Sequence, residues 1–314
     1  MHEPEIMPNA GQIEFKDAFI ERYNKLTDFE LFKKYSLSFL RRSIRVNTLK
    51  KPIKEVADSI KEKGWKLTQV PWCEEGFWIE SERRDVGNLE EHMLGYIYIQ
   101  EAASMIPPIV LEPKENEIIL DSCAAPGSKT TQIAQYMKNT GLLIANDFKT
   151  ERIKSLGLNT QRMGLTNVVI TLMKGEWFKG MQFDRILVDA PCTGTGTIRK
   201  SLKTLRMWNP NMVSRLSAVQ KKLITNAFNN LKSGGIMVYS TCTLEPEEDE
   251  EVVDYLLQNN KEAVLEDIDL NIKRSKPVLE FDGKKYDASI KKCLRIWPQD
   301  NDTEGFFVAK IRKK

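Results

Sequence analysis

Two cysteines lie in sequence settings where a thiol can take part in chemistry. The first, Cys192, belongs to Asp189-Ala-Pro-Cys-Thr-Gly-Thr-Gly196, which follows the apolar run 186–188. This run predicts a buried strand of a parallel sheet, and the proline and glycines after it predict a tight turn. An acid and a thiol are therefore expected at the carboxyl end of a central strand, where open α/β sheets bind ligands. A buried, unreactive cysteine in an ordinary turn is the alternative.

The second thiol, Cys242, follows the next predicted strand, 235–240. A thiolate that attacks C6 of a pyrimidine makes C5 an enamine-like carbon, which can accept a methyl group from a sulfonium. Pro246 predicts the start of an acidic helix just after Cys242. A helix N-terminus would lower the pKa of this thiol, whereas the acids would act in the opposite direction. Spacing alone does not decide which thiol attacks, or whether both are merely buried cysteines.

Alternating strand and helix patterns place these two turns at the edge of one sheet. Strands are predicted over 118–121, 142–147, 168–172, 183–189 and 235–240. Helices are predicted over 128–137, 150–163, 211–231 and 246–259. Repeated units of this length indicate a doubly wound, mostly parallel α/β sheet, with residues 294–296 and 305–311 closing it as a late antiparallel hairpin.

The N-terminal third of the chain has a different pattern. A helix is predicted over 12–40, a strand over 44–49, a helix over 52–63 and a strand pair over 67–70 and 76–79. Pro107 and Pro108 are expected to stop any helix and to mark a domain boundary. The prediction is a small α+β domain over 1–105 and a larger α/β domain over 106–314.

The first strand–helix turn of the larger domain is Asp121-Ser-Cys-Ala-Ala-Pro-Gly-Ser-Lys-Thr130. It lacks both GxGxxG and the GxxxxGK spacing that cradle phosphates, and it holds a single glycine. The turn therefore suits a ligand without phosphates, such as S-adenosylmethionine. Asp147 ends the second strand, where a carboxylate can bind a ribose diol or cap the next helix. A different Rossmann-like enzyme is the alternative at this point.

Cysteine usage and charge indicate the setting and the partner. Five cysteines without a CxxC pair and two histidines argue against a disulfide framework or a metal site, so we expect a cytoplasmic, metal-free protein. The first ten residues do not resemble a signal peptide, and no apolar run approaches a membrane span. Residues 33–66 hold eleven Lys/Arg against three acids, and 194–232 hold eight against none. These stretches favour a polyanion partner over solvated helix faces, which are the alternative.

Three stretches, in order, resemble the Nol/Nop/Sun family of AdoMet-dependent RNA (cytosine-C5) methyltransferases. They are Asp121–Thr130, Asp189–Cys192 with its Gly-Thr-Gly, and Ser240-Thr-Cys242. Arg45–Leu49 and Tyr98–Ser104 resemble the N-terminal signatures of the same family. The resemblance spans residues 40–311 and is to its compact archaeal or bacterial members. It implies a class I methyltransferase fold, Rossmann-like, with an N-terminal unit similar to an RNA-recognition fold.

The resemblance also implies roles for individual residues. Cys242 would attack C6, Cys192 would help to resolve the covalent adduct, and Asp189 would hydrogen-bond cytosine at N3 or its amine. Glu176 stands where the family usually has Asp near the adenine, and Ser128 where it often has Gly. The residues implied to hold S-adenosylmethionine are Cys123, Ala124, Ala125, Pro126, Gly127, Ser128, Lys129, Asp147, Arg152, Glu176 and Asp189.

The expected function is therefore transfer of a methyl group from S-adenosylmethionine to C5 of cytosine in RNA by a monomer. A tRNA is the favoured substrate and ribosomal RNA the alternative; a non-catalytic RNA-binding or assembly factor is the alternative of another class. The target base must leave its stack to reach the thiol. The expected phosphate contacts are Arg41, Arg42, Lys50 and Lys51, and Arg199, Lys200, Lys203 and Arg206 are expected to line the same cleft. Trp208 is expected to pack rather than to stack on a base.

Overall fold

The computed structural model describes residues 3–81 and 85–314. Residues 1–2 and 82–84, which fall in the predicted N-terminal domain, lie outside this description. The helices are α1 (Asp17–Asn24), α2 (Phe29–Ser36), α3 (Ile53–Glu62), α4 (Glu90–Met93), α5 (Ile106–Leu111), α6 (Ser128–Tyr136), α7 (Thr150–Met163), α8 (Lys203–Met207), α9 (Pro210–Asn229), α10 (Glu250–Asn259) and α11 (Pro298–Asn301). The strands are β1 (Ser43–Val46), β2 (Lys66–Gln69), β3 (Gly76–Glu80), β4 (Ile97–Ile99), β5 (Ile118–Asp121), β6 (Leu142–Asp147), β7 (Val168–Leu172), β8 (Phe183–Asp189), β9 (Leu231–Thr241), β10 (Ala263–Glu266), β11 (Glu280–Phe281), β12 (Lys284–Lys285), β13 (Leu294–Ile296) and β14 (Phe306–Lys313).

The N-terminal part forms a four-stranded antiparallel sheet in the order β2-β3-β1-β4. Val56 and Ile60 on the buried face of α3 pack against this sheet, as their helical spacing predicts. The single helix predicted over 12–40 is wrong. The chain forms α1 and α2 instead, because Asp28 caps the second helix by accepting a hydrogen bond from the Leu31 amide.

The larger sheet has the order β10-β14-β9-β8-β5-β6-β7, with β13 paired to β14. Strands β5 to β9 pair in parallel, whereas β14 runs antiparallel to β9, β10 and β13. The doubly wound sheet and its late hairpin are therefore confirmed. Sequence patterning missed β10, a half-buried strand at one edge of the sheet.

The two prolines expected to stop a helix instead begin one. Pro107 and Pro108 occupy the first turn of α5, where proline is tolerated because those amides have no partner within the helix. Both prolines are buried, and the apolar core continues past them. Trp72 and Trp78 of the N-terminal part belong to the same buried cluster as Val238 of the large sheet.

A buried guanidinium connects the two parts. Arg45 in β1 is fully buried, and its guanidinium donates to the side chains of Gln100, Gln135 and Thr131. Thr131 and Gln135 lie on α6, the helix that also carries Lys129. The N-terminal sheet is thus fixed against the helix that follows the Asp121–Thr130 turn.

The acidic stretch 245–254 is largely interior rather than solvated. Glu245, Glu248, Asp249 and Glu250 are all fully buried. Glu245 accepts hydrogen bonds from Arg22, Tyr23 and Trp208, which confirms that Trp208 packs. Helix α10 begins only at Glu250, so the expectation of a helix N-terminus directly after Cys242 is wrong.

No helix within residues 3–81 and 85–314 combines the length and apolar character that crossing a bilayer requires.

Replacing Arg295 by Met tests how strongly the buried acids depend on their cation. Its guanidinium binds Asp249 at 3.0 Å and Glu250 at 2.6 Å, and all three side chains are inaccessible to solvent. We expect the free energy of unfolding of Arg295→Met to fall by about 3–5 kcal/mol, because the acids lose their counter-charge. Urea unfolding measures this value.

Lys285→Met is the matched control, since Lys285 pairs with Glu280 at 3.8 Å on the surface. We expect it to cost less than about 1 kcal/mol. Similar losses for both variants would contradict the assignment of a structural role to the buried cation.

Candidate active site

The parallel pairing of β8 with β9 brings the two thiols together. Asp189 at the end of β8 lies beside Ser240 near the end of β9. Cys192 and Cys242 follow these residues, and their Sγ atoms lie 3.4 Å apart. Both thiols are partly accessible. The structure therefore places the acid and both predicted thiols at one point of the sheet edge.

Asp189 is held from two directions. Its Oδ2 accepts a hydrogen bond from Lys129 Nζ at 2.7 Å, and its Oδ1 accepts one from Ser240 Oγ at 2.8 Å. Burial acts to lower the pKa of Lys129, but the Asp189 carboxylate outweighs it and the pKa is raised. A charged ammonium therefore lies beside the thiols, where it favours negative charge on sulfur.

The two thiols share a hydrogen bond, for which either sulfur can supply the proton. This bond to Cys242, together with burial, raises the pKa of Cys192 well above its usual value. Cys192 therefore keeps its proton and can donate it to the neighbouring sulfur. Burial also raises the pKa of Cys73, Cys123 and Cys293.

A cavity of about 410 Å³ opens beside Cys242 and extends along the turn after β5. Of the residues predicted for the site, Cys123, Ala124, Ala125, Pro126, Ser128, Lys129, Arg152, Asp189 and Cys242 line it. Cys192 is not among the lining residues, but its sulfur contacts that of Cys242, which does line the cavity. The structure thus brings Asp189, Cys242 and most of the predicted cofactor residues to a single cavity.

Three of the predicted residues are placed differently. Asp147 is buried behind the turn, where it accepts hydrogen bonds from the Ala125 and Lys149 amides and forms an ion pair with Arg152 at 3.3 Å. Gly127 has φ +108°, and a Cβ there would lie 3.0 Å from Leu156, so it shapes the turn. Glu176 lines a separate groove beside Trp177 and Asn226 rather than this cavity.

Sequence reasoning missed several residues of the cavity. Asp121 was predicted only as the end of a strand, and Glu101 only as part of an N-terminal signature. Lys200 was expected on the RNA surface, and Glu304 and Phe306 carried no prediction of function, because they lie more than 60 residues beyond Cys242 in the chain. All five line the cavity.

Some predicted RNA contacts have structural partners instead. Arg199 is buried and donates to Ser38, Phe39 and Thr303, so the expectation that it lines the RNA cleft is wrong. Lys50 donates to two backbone carbonyl groups. Lys200, Lys203 and Arg206 remain exposed on the segment after the Cys192 turn.

A parallel sheet of this strand order, closed by an antiparallel hairpin and carrying its cavity at the carboxyl strand ends, defines a class I methyltransferase fold. The family model of the 16S rRNA methyltransferase RsmB/F matches residues 108–312, and that of the RsmF N-terminal domain matches residues 15–102. The chain belongs to this RsmB/F family, which confirms the resemblance to Nol/Nop/Sun proteins.

Individual relatives extend this similarity over nearly the whole chain. A tRNA (cytosine(49)-C(5))-methyltransferase of Pyrococcus abyssi is 50% identical over 94% of this chain and 95% of its own length. The ribosomal RNA small subunit methyltransferase F of Vibrio vulnificus is 44% identical over 95% of this chain, which spans only 64% of that longer protein.

Solved structures from Pyrococcus horikoshii share the fold. A methyltransferase homologue superimposes with a TM-score of 0.87 at 34% identity, and the match covers 98% of this chain and 100% of that one. The structure of NSun6 with SFG gives a TM-score of 0.82 at 25% identity, with 96% and 97% covered.

Limited alkylation tests which thiol is the most reactive. At pH 7.5 we expect iodoacetamide to modify Cys242 first, because this thiol lines the cavity, whereas raised pKa values disfavour the reactive thiolate at the other four cysteines. Peptide mass spectrometry gives the order of labelling. Cys242→Ser should remove the fastest site, whereas Cys73→Ser should not. Earlier labelling of Cys192 or Cys123 would contradict this assignment.

Proposed function

We propose that this protein transfers a methyl group from S-adenosylmethionine to C5 of a cytosine in RNA, with tRNA as the substrate. The observation that carries the proposal is the pair of touching thiols beside a lysine-bound aspartate, at the mouth of a cavity lined by the turn after β5. An acceptor that is a poorly nucleophilic ring carbon needs this combination, since covalent attack activates it.

The cavity fits the proposed cofactor. Asp121 is almost completely buried, and its Oδ1 accepts no hydrogen bond from the residues that the structure describes. Burial raises the pKa of Asp121 to about 7, so a cationic ligand group would favour its charged form. The amino group of S-adenosylmethionine supplies that cation, and its sulfonium supplies the methyl group. Residues 123–129 and Arg152 would surround it, with Asp147 supporting the turn.

The groups around Asp189 suit the attack step. Cys242 sulfur forms a bond to C6 of cytosine, and electron density moves toward C5 and N3. Asp189 binds the N3 or amine edge, and the Lys129 ammonium stabilises the charge that develops nearby. C5 then accepts the methyl group.

Release of the methylated cytosine requires that the bond between Cys242 sulfur and C6 is broken again. The C5 proton passes to solvent water, the electron pair of that C–H bond re-forms the C5–C6 double bond, and Cys242 sulfur leaves C6 as a thiolate that takes up the proton of Cys192. Cys192 touches Cys242 and carries a proton, so we assign it to this resolution step.

The choice of tRNA is supported by the archaeal relative, which matches this chain in length. Ribosomal RNA is the second candidate, supported by the bacterial relatives, of which the chain spans about two thirds or less. In either case Lys200, Lys203 and Arg206 extend a basic surface away from the cavity, and the N-terminal domain would hold RNA beside it.

Labelled S-adenosylmethionine and total RNA, digested to nucleosides after the reaction, test the activity. We expect labelled 5-methylcytosine in the tRNA fraction after separation by size. Label in large RNA alone would favour the second candidate. A complete absence of 5-methylcytosine from every fraction would refute the proposal.

Two cysteine variants separate the steps. Cys242→Ala should abolish methylation and any covalent complex, because no nucleophile remains. Cys192→Ala should instead accumulate a protein–RNA complex that survives denaturing electrophoresis, since attack proceeds and resolution fails. Cys73→Ser serves as a control and should match the unmodified protein. An active Cys242→Ala variant, or no trapping by Cys192→Ala, would overturn the division of roles.

Lys129→Met tests the stabilising charge. Removing the ammonium leaves Asp189 without its shortest hydrogen bond and the thiols without a nearby cation. We expect kcat to fall about 100-fold, as for the loss of one preorganised electrostatic group. Lys154→Met, on the exposed surface of α7, is the matched control and should keep kcat within a factor of two. A similarly small effect in Lys129→Met would contradict its role.

A further inference from the structure

Four residues that line the cavity have no role at the base or at the cofactor in the proposed reaction. Glu101 and Glu304 line it together with Lys200 and Phe306. Glu304 is only 4% exposed, and its Oε1 accepts no hydrogen bond within the described ranges 3–81 and 85–314. This Oε1 forms an ion pair with Lys200 Nζ at 3.6 Å, on a side chain that is mostly exposed, and Lys129 and Arg199 also attract the Glu304 charge. A buried acceptor without a donor is costly, so it indicates a ligand group.

The two carboxylates are not equivalent. Glu101 accepts hydrogen bonds from the backbone amides of Glu304 and Ser104, and it thereby fixes the segment before β14 against the segment before α5. Burial and the neighbouring Glu304 charge raise the pKa of Glu101 above its usual range. Glu101 is thus explained by its structural contacts, whereas Glu304 Oε1 has an ion pair but no hydrogen bond within the described residues.

Backbone contacts place Glu304 close to the nucleophile. The Gly196 amide donates to the Cys242 carbonyl at 3.0 Å, and the Gly305 amide donates to the Gly196 carbonyl at 2.9 Å. A Cβ on Gly196 would lie 2.2 Å from the Gly305 oxygen, so only glycine allows this approach. Glu304, which precedes Gly305, therefore lies on the Cys242 side of the cavity.

The chemistry of cytosine then identifies the group that arrives there. N1 is bonded both to C6, which Cys242 attacks, and to the ribose, whereas N3 and the amine lie across the ring near Asp189. The ribose of the target nucleotide must therefore lie on the Cys242 side. A ribose offers a 2′-hydroxyl donor, which is the group that distinguishes RNA from DNA.

We infer that Glu304 determines specificity for RNA by accepting a hydrogen bond from the 2′-hydroxyl of the target cytidine, with Lys200 beside it for the adjoining phosphate. This inference rests on the proposed function and extends it from the base to the sugar. Asp121 and Glu304 are then two buried acceptors that line one cavity, one for the cofactor and one for the RNA.

The test uses synthetic RNA in which only the methylated cytidine, located first by mapping, is changed at its 2′ position. We expect 2′-deoxycytidine to lower kcat/KM of the unmodified protein roughly 10- to 100-fold, because Glu304 is left unpaired. For Glu304→Met we expect kcat/KM on the ribose substrate to be no higher than that of the unmodified protein on the deoxy substrate. The kcat/KM values of this variant on the two substrates should differ less than about threefold. Glu115→Met, at the opposite edge of the sheet, should discriminate like the unmodified protein.

A 2′-fluoro substrate makes the test independent of any variant. Fluorine cannot donate, so we expect it to behave like the deoxy substrate with the unmodified protein. Equal rates for ribose and 2′-fluoro substrates, or full discrimination by Glu304→Met, would overturn the inference while methylation of the ribose substrate still supported the proposed function. If the unmodified protein methylated no RNA, the proposed function would fail and the inference with it.

Discussion

The register between β8 and β9 fixes the positions of Asp189 and of both thiols at the candidate site. Because Asp189 pairs with Ser240, the turns that follow both strands start side by side, and the two thiols meet at 3.4 Å. A shift of the register would separate Cys192 from Cys242 and remove Ser240 from Asp189. The candidate chemistry therefore depends first on backbone pairing in the sheet and only then on side-chain properties.

Buried charge supports this edge of the sheet from behind. Glu248 accepts hydrogen bonds from the amide and hydroxyl of Thr193 and from Gln220, which fixes the turn directly after Cys192. Asp249 accepts a hydrogen bond from Thr241, the residue before Cys242, and binds Arg295. The acidic stretch thus holds both cysteine turns in place, and its charge is satisfied inside the protein rather than by a partner.

The sequence allowed the sheet and the thiols to be predicted because their signals are local. Apolar runs ending in Asp-Ala-Pro-Cys or Ser-Thr-Cys indicate buried strands followed by reactive turns. The environment of the acids could not be predicted in the same way. Arg295 neutralises Asp249 and Glu250 from 45 residues away, and Arg22 reaches Glu245 from a distant helix. A run of acidic residues is therefore expected to be solvated when only the sequence is considered, because the arginines that pair with it are distant in the chain.

The position of Glu304 shows the same limit. Glu304 reaches Cys242 only through the contact of Gly305 with Gly196, which no periodicity in the sequence indicates. Pro107 and Pro108 show a different limit. The two prolines do mark a helix boundary, but it is the start of α5 rather than the end of a preceding helix. Local patterns therefore predicted the elements, whereas the place of Glu304 in the cavity lining emerged only from contacts between segments distant in the chain.

The most direct test of the account is to identify the sulfur that bonds to the base. RNA carrying 5-fluorocytidine at the methylated position cannot lose fluorine as a cation, so resolution stops after methyl transfer and the adduct persists. Digestion with trypsin and nuclease, followed by mass spectrometry, locates the attached nucleotide. The account predicts a methylated fluorocytidine nucleotide on the peptide that contains Cys242. The same nucleotide on the Cys192 peptide would contradict it.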